Sequence, residues 1–268
     1  NKQNALSVDA QGYKSDNLLN SLSAATLTYT NNIFSDYKYA ALFGRINYNW
    51  NQKYILNLTG RRDGSSRFGP GKRFANFGAV GLAWFFQEEK FMQKLLPFIS
   101  YGKIRTSYGL TGNDQIGNYR YLDAWTINYY TYQGASTLYP SALFNPLYSW
   151  EINRKFEAAL ELGFLKDRIY LSSVYFNNRS GNQLVEYGLA FQTGFGTIIS
   201  NFPALVQNDG FEFQLTAIPI QSKKFNWSVS ANISIPSNKL VRFNGLSSSG
   251  YSTTYVEGKS LNVIYKLN

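Results

Sequence analysis

Glu157 and Glu161, together with a run of aromatic residues between 119 and 132, are the side chains in this sequence best suited to chemistry. Two carboxyls can divide acid and base work on a glycoside when they lie roughly 5–10 Å apart across a substrate. Four residues along one extended strand would separate Glu157 and Glu161 by about 13 Å. They are therefore read as wall charges, balanced by Lys155 and its neighbours, and not as a catalytic pair. The sequence contains no Cys and no His. Thiol nucleophiles, disulfides, Ser-His-Asp triads and His-ligated metals are thereby excluded. No catalytic residue, metal ligand or cofactor is assigned, and the expectation is a protein that is not an enzyme.

The aromatic run lies in a long connection, 111–150. Five residues in it, Tyr119, Tyr121, Trp125, Tyr129 and Tyr130, are the candidate ligand-binding set. Aromatic faces stack on sugar rings or apolar peptide side chains, and Tyr adds a hydrogen-bonding tip. The competing role is packing of the loop on itself, or membership of an interfacial girdle. Tyr187, Phe191 and Phe195 in the connection 178–207 carry the same two readings. Asp63-Gly64-Ser65-Ser66-Arg67 could touch ligand or partner, but its composition is first that of a shaped turn, with Arg67 expected to pair with a carboxylate. Gly109, Gly112 and Gly117 do not open a helix after a strand, so they do not form a phosphate cradle.

The elements that must position these residues are strands. Leu42, Gly44, Ile46, Tyr48 and Trp50 fall on one face, with Phe43, Arg45, Asn47 and Asn49 on the other. Alternation of this kind is the mark of a strand with one apolar and one polar side. Tyr54–Arg62 repeats it across a three-residue gap, which predicts a hairpin. Phe156, Ala158, Leu160, Leu162 and Phe164 oppose Lys155, Glu157 and Glu161. Trp227, Val229, Ala231, Ile233 and Ile235 oppose Ser228, Ser230, Asn232 and Ser234. Further strands are expected at 74–86, 99–110, 169–177 and 208–218, with weaker signals at 21–30 and 251–265; the facing of 169–177 is left open. Residues 87–98 have helical spacing and suggest a short capping helix.

Short connections (51–53, 87–98, 165–168, 219–224) alternate with long ones (63–73, 111–150, 178–207, 236–250). Short turns at one rim and long loops at the other describe an outer-membrane barrel. The composition agrees. Aromatic residues make up 17 % of the chain, and charged residues only 16 %, against roughly 25 % in soluble domains. The formal net charge is +10, but the basic residues are scattered, so no nucleic-acid partner is expected. No apolar run reaches the roughly 18 residues of a membrane helix.

Several stretches resemble the barrel of the SusC/RagA-like TonB-linked outer-membrane transporters. They are Phe43-Gly44-Arg45-Ile46-Asn47-Tyr48, Arg61-Arg62-Asp63-Gly64-Ser65-Ser66-Arg67-Phe68-Gly69, Ala83-Trp84 with Glu88-Glu89-Lys90-Phe91, and Ser107–Asn113 continuing to Ile116-Gly117-Asn118-Tyr119. Asn145-Pro146, Trp150-Glu151, Leu162-Gly163-Phe164 and Asn208-Asp209-Gly210-Phe211-Glu212 follow in order. The series covers roughly 39–258.

The resemblance implies an all-β, antiparallel transmembrane β-barrel of about 22 strands, with long extracellular loops and short periplasmic turns. Nine or ten strands are counted, so residues 1–268 are expected to be a partial barrel. The plug and N-terminal domains are not visible in this sequence. The resemblance also implies import of a bulky nutrient, glycan or peptide. The partners would be outer-membrane lipids, a SusD-like surface lipoprotein and TonB. Two rivals are a barrel reused as an adaptor in a secretion or assembly complex, and a soluble carbohydrate-binding β domain.

Overall fold

In the computed structural model, the backbone is described for residues 1–263, with side chains for all of these except 128–131, 136 and 186. The chain opens with a hairpin, β1 (Lys2–Gln11) and β2 (Leu27–Asp36), whose strands pair with each other. β3 (Tyr39–Trp50), β4 (Tyr54–Ser65), β5 (Phe74–Trp84) and β6 (Ile99–Asn113) follow, with helix α1 (Lys90–Leu95) between the last two. A second separate hairpin is formed by β7 (Ala124–Tyr132) and β8 (Ala135–Ala142). β9 (Glu151–Phe164), β10 (Ile169–Gly188), β11 (Thr197–Gln221) and β12 (Asn226–Phe243) complete the chain's strands among the described residues.

Eight strands make one sheet in the order β3-β4-β5-β6-β9-β10-β11-β12, each antiparallel to its neighbours. Directly opposed residues share a face, so the register traces each face across the sheet. One row runs Tyr48, Leu56, Leu82, Thr106, Ala158, Tyr175, Phe211, Ile235. The next runs Trp50, Tyr54, Trp84, Ile104, Leu160, Ser173, Phe213, Ile233. Neither row contains a charge. On the opposite face, Asn47, Asn57, Gly81, Ser107 and Glu157 line up from β3 to β9. The facing of 169–177, open in the sequence, is now fixed: Ile169, Leu171 and Tyr175 join the apolar side opposite Phe164, Leu162 and Ala158.

The apolar side is not a core. Leu160, Val229 and Ile233 are exposed, the last at 58 %, and among the described residues no second sheet covers them. A soluble sandwich would bury this band between two sheets, so that reading is set aside. A lipid-facing wall leaves it bare. The sheet is also staggered. β9 runs four residues past Leu160 to its turn, while β12 starts seven residues before Ile233. Turn ends that step along the register are what tilted barrel strands produce.

Several expectations change. Among the described residues there are twelve strands, not nine or ten. Connection 111–150 contains β7 and β8. Most of 178–207 is strand, because β10 and β11 continue past a bulge at Asn182, whose φ is 59°. β12 reaches Phe243, inside the expected loop 236–250. Beyond the apolar band both faces of a strand meet water, so alternation lapses while backbone pairing persists. Of the weak strand expected at 21–30, residues 27–30 are the start of β2, and Leu22–Ala24 is a 3-10 turn before it. Residues 251–263 form turns, and Tyr265 lies outside the described residues. The helix expected at 87–98 is α1.

The turn-side rim is tied together. Glu89, just before α1, accepts hydrogen bonds from Lys53 Nζ at 2.9 Å and Tyr54 Oη at 2.7 Å. Lys53 first, then Tyr54, holds the Glu89 carboxyl below its usual range.

Candidate functional site

The polar face carries a network centred on β6 and β9. Arg105 donates to Glu161 from Nε at 2.9 Å and to Glu157 from its terminal nitrogen, so one guanidinium spans both carboxylates. Lys103 Nζ and Tyr101 Oη each reach Glu161 at 3.3 Å. The charges facing Glu157 and Glu161 thus come from the neighbouring strand and not from Lys155. This wiring arises because Lys103 and Ser107 are the direct partners of Glu161 and Glu157, with Arg105 between them. Both carboxylates are occupied by cations, which suits a wall and not an acid–base pair.

At the loop side of the same face, a buried cluster of Phe68, Phe77, Tyr121, Tyr148 and Trp150 gathers three connections. Ring centroids of Phe68 and Trp150 are 4.8 Å apart, and Phe77 meets Trp150 edge-on at 5.6 Å. Trp150 Nε1 donates to the Arg73 carbonyl at 3.2 Å. Asparagines brace the backbone around it. Asn201 Nδ2 donates to the Ser149 carbonyl at 2.7 Å, and Asn182 Nδ2 donates to the Trp150 carbonyl at 2.8 Å. Glu151 accepts from Asn113 Nδ2 and the Leu184 N–H, both at 2.8 Å. Burial pushes the Tyr148 hydroxyl up to about 12.

Among the described residues, Arg67 pairs with no carboxylate. Its guanidinium lies 4.2 Å from the centre of the Tyr37 ring. It also donates to the Asp114 carbonyl at 2.7 Å and Asn118 Oδ1 at 3.0 Å. Tyr37 Oη in turn donates to the Asp114 carboxylate at 2.7 Å. Burial and that carboxylate raise the Tyr37 hydroxyl to about 12. Beside these groups, a recess of about 210 Å³ opens among Tyr39, Arg61, Asp63, Asn113, Gln115 and Trp150. Arg61 holds Asp63 at 2.9 Å and donates to Tyr39 Oη at 2.7 Å. Such alternating donors and acceptors beside an indole suit a polar ligand carrying some apolar surface. A larger groove of about 370 Å³, bounded by Tyr48, Trp50, Tyr54 and Trp84, lies on the opposite, apolar face. Acyl chains are its natural filling.

The five sequence candidates part company. Tyr121 is buried in the aromatic cluster, 9 % exposed. Tyr119 is partly exposed, and its hydroxyl accepts the Asp36 N–H at 2.8 Å. Trp125 is open, 59 % exposed, with Nε1 on Asp123 Oδ2 at 3.3 Å. The side chains of Tyr129 and Tyr130 lie outside the described residues. Sequence reasoning missed Ile127 and Leu138, which oppose each other beside the Trp125–Pro140 pair and are exposed. The alternation Trp125-Thr126-Ile127 was the available signal. Ligand or partner contact by 63–67 was ranked below turn chemistry, and Arg61, near the loop end of β4, was not singled out.

A one-layer sheet, apolar outside and wired by charge inside, defines a portion of a transmembrane β-barrel. Residues 3–266 match the model described as TonB dependent receptor-like, beta-barrel, and the chain belongs to that family of outer-membrane receptor barrels. It is similar to TonB-dependent receptor P39 of Formosa agariphila, with 31 % identity over 92 % of this chain and 24 % of that protein. It is also similar to TonB-dependent receptor SusC of Bacteroides thetaiotaomicron, with 32 % identity over 80 % of this chain and 22 % of that protein. Among solved structures, the RagAB peptide transporter superposes with a TM-score of 0.79 at 28 % identity, covering 91 % of this chain and 27 % of that one. The chain thus spans about a quarter of the length of the proteins it matches.

Proposed function

We propose that this chain is part of the barrel wall of a SusC/RagA-type importer, which moves a bulky nutrient, glycan or peptide, across the outer membrane. Energy comes through TonB, and a SusD-like surface lipoprotein acts as lid. The wall breaks no bonds. It supplies a charged, hydrogen-bonding interior and an extracellular rim that meets the cargo. The observation that carries this reading is the two-sidedness of the eight-stranded sheet in its turn-side band, apolar outward and, between β6 and β9, ion-paired inward. Similarity to SusC and to a peptide transporter supports the cargo class.

Within the rim, Trp125, Tyr119, Tyr129 and Tyr130 are the proposed cargo contacts, together with Ile127 and Leu138. Tyr121 serves as the anchor that packs the loop carrying them. The test uses the full-length protein that contains this wall. Co-purification of a SusD-like lipoprotein and loss of growth on one glycan or peptide source after gene deletion are expected. Trp125→Ala should weaken capture of that nutrient about three- to tenfold, the effect of one lost stacking ring. Co-purification with secretion machinery and undisturbed growth would overturn the importer reading.

A further inference from the structure

On the outward face, the first positive charges beyond the apolar band are arginines, one row above the outward Asp209. Arg154 on β9 and Arg179 on β10 are direct cross-strand partners. Each lies ten residues from the turn end of its strand, at Phe164 and Ile169. A tilted strand crosses the hydrocarbon in about 9–11 residues, so the pair stands where acyl chains give way to headgroups. Two like charges directly opposite on one face repel, and both residues are exposed. Among the described residues neither forms an ion pair.

Further positive charge flanks them. Lys239 shares their row through Gln207. Arg62 and Arg242 belong to the adjoining row on the same face, with Arg62 lying 5.3 Å from the centre of the Phe74 ring. The nearby outward carboxylate, Asp209, is held by Gln207 Nε2 at 2.8 Å, and Gln207 also accepts from Arg179 at 2.9 Å. Positive charge therefore dominates the ledge above the lipid-facing band.

We propose that Arg154 and Arg179 form a binding site for a phosphorylated headgroup of a lipid in the outer leaflet. Two guanidinium forks facing one way can clamp a single phosphate through charge-assisted hydrogen bonds. The lipid's acyl chains continue onto Phe156, Ala158 and Tyr175 directly below. The bound anion removes the repulsion that the pair otherwise carries. A free phosphate would meet the same guanidiniums but not the apolar band, so the lipid is the favoured occupant. This inference rests on the outer-membrane placement and is independent of transport.

The test is thermal unfolding and native mass spectrometry of the full-length protein in detergent, titrated with bis-phosphorylated lipid A and with its dephosphorylated counterpart. The phosphorylated lipid should bind and raise the melting temperature. R154Q/R179Q should bind it about tenfold more weakly, R154K/R179K should fall between that variant and the parent because ammonium groups keep the charge but not the fork, and the inward-facing control K155Q should match the parent protein. The dephosphorylated lipid should not distinguish parent from variant, and millimolar inorganic phosphate should not displace the bound lipid. In lipid-free detergent, R154Q should melt no lower than the parent, because a like-charge pair has been relieved. Equal lipid affinity in R154Q/R179Q, displacement by inorganic phosphate, or a lower melting temperature of lipid-free R154Q would each overturn the assignment. Growth assays of nutrient import do not bear on it, so the two readings fail separately.

Discussion

Leu160, in the apolar band, and Trp150, just beyond the loop-side end of β9, lie ten residues apart and meet different surroundings. Leu160 is paired with Ile104 and Ser173 and is exposed on the lipid-facing side. Trp150 is 6 % exposed, ringed by Phe68 and Phe77 and hydrogen-bonded to a carbonyl 77 residues away. The membrane half of the wall thus gets its outer environment from the bilayer, and its strands need only backbone pairing and the correct face. The loop half has no such solvent and must build its own interior. Specific packing, asparagine braces and buried rings are concentrated there for that reason.

If this contrast holds, Trp150→Ala should be the most damaging single change. Removing a buried aromatic from a packed cluster costs about 3–5 kcal/mol. The loss should appear as rapid proteolysis within 63–73 and 143–150 of the full-length protein. The barrel itself should keep its heat-modifiable mobility in detergent gels, since the ladder below Glu151 does not pass through Trp150. A barrel that collapses as a whole would show that the two halves are one cooperative unit. The next largest effect tests the outer face. Leu160→Arg should cost about 2–4 kcal/mol, the depth-dependent penalty of a cation near the bilayer midplane. Gln214→Arg on the inward face, opposite Ser172 and Asn232, should fall within about 0.5 kcal/mol of the parent. Equal penalties in reversible unfolding from lipid vesicles would mean that the two faces are not lipid and water.

The same division explains what could be read in advance. Period-two patterning located β3, β4, β9 and the turn-side half of β12, because lipid on one side and water on the other imposes it residue by residue. It failed on β7, β8 and the outer parts of β10 and β11, where both faces are wet and only backbone hydrogen bonds define the strand. The aromatic signal in 111–150 was real but undivided. Tyr121 and Trp125 are both aromatic and lie four residues apart, yet one closes a buried cluster and the other stands in solvent. That difference depends on Phe68 and Tyr148 arriving from distant connections, which no local pattern encodes. The Arg105 bridge to Glu157 and Glu161 was hidden for a related reason, since the register of β6 against β9 spans the whole 111–150 connection. The outward Arg154–Arg179 pair needed that same level of information, this time across the β9–β10 hairpin.

The smallest expected effect lies at the periplasmic rim, where Glu89 joins the β3–β4 turn to α1. Its carboxyl is held below the ordinary value of 4.5, mainly by Lys53 and then by Tyr54. A depressed folded-state value means that the carboxylate form is favoured by folding. The contribution is therefore complete above pH 4.5 and fades as the pH falls through the lower, folded value. Hydrogen exchange of the amides in 51–53 and 90–95 should report it, with protection in the parent lost on acidification below that range. Glu89→Gln should lower protection at neutral pH and remove the acid dependence, and Lys53→Met should do the same from the other side of the pair. Both sites lie outside the apolar band, so the slower-exchanging ladder around Leu56 and Leu82 should not respond. A Glu89→Gln profile that still tracks the parent through the acid range would show that the rim is held by the Lys53 N–H bond to Trp50 and the Phe85 N–H bond to Lys53. The carboxylate would then be incidental to the turn it touches.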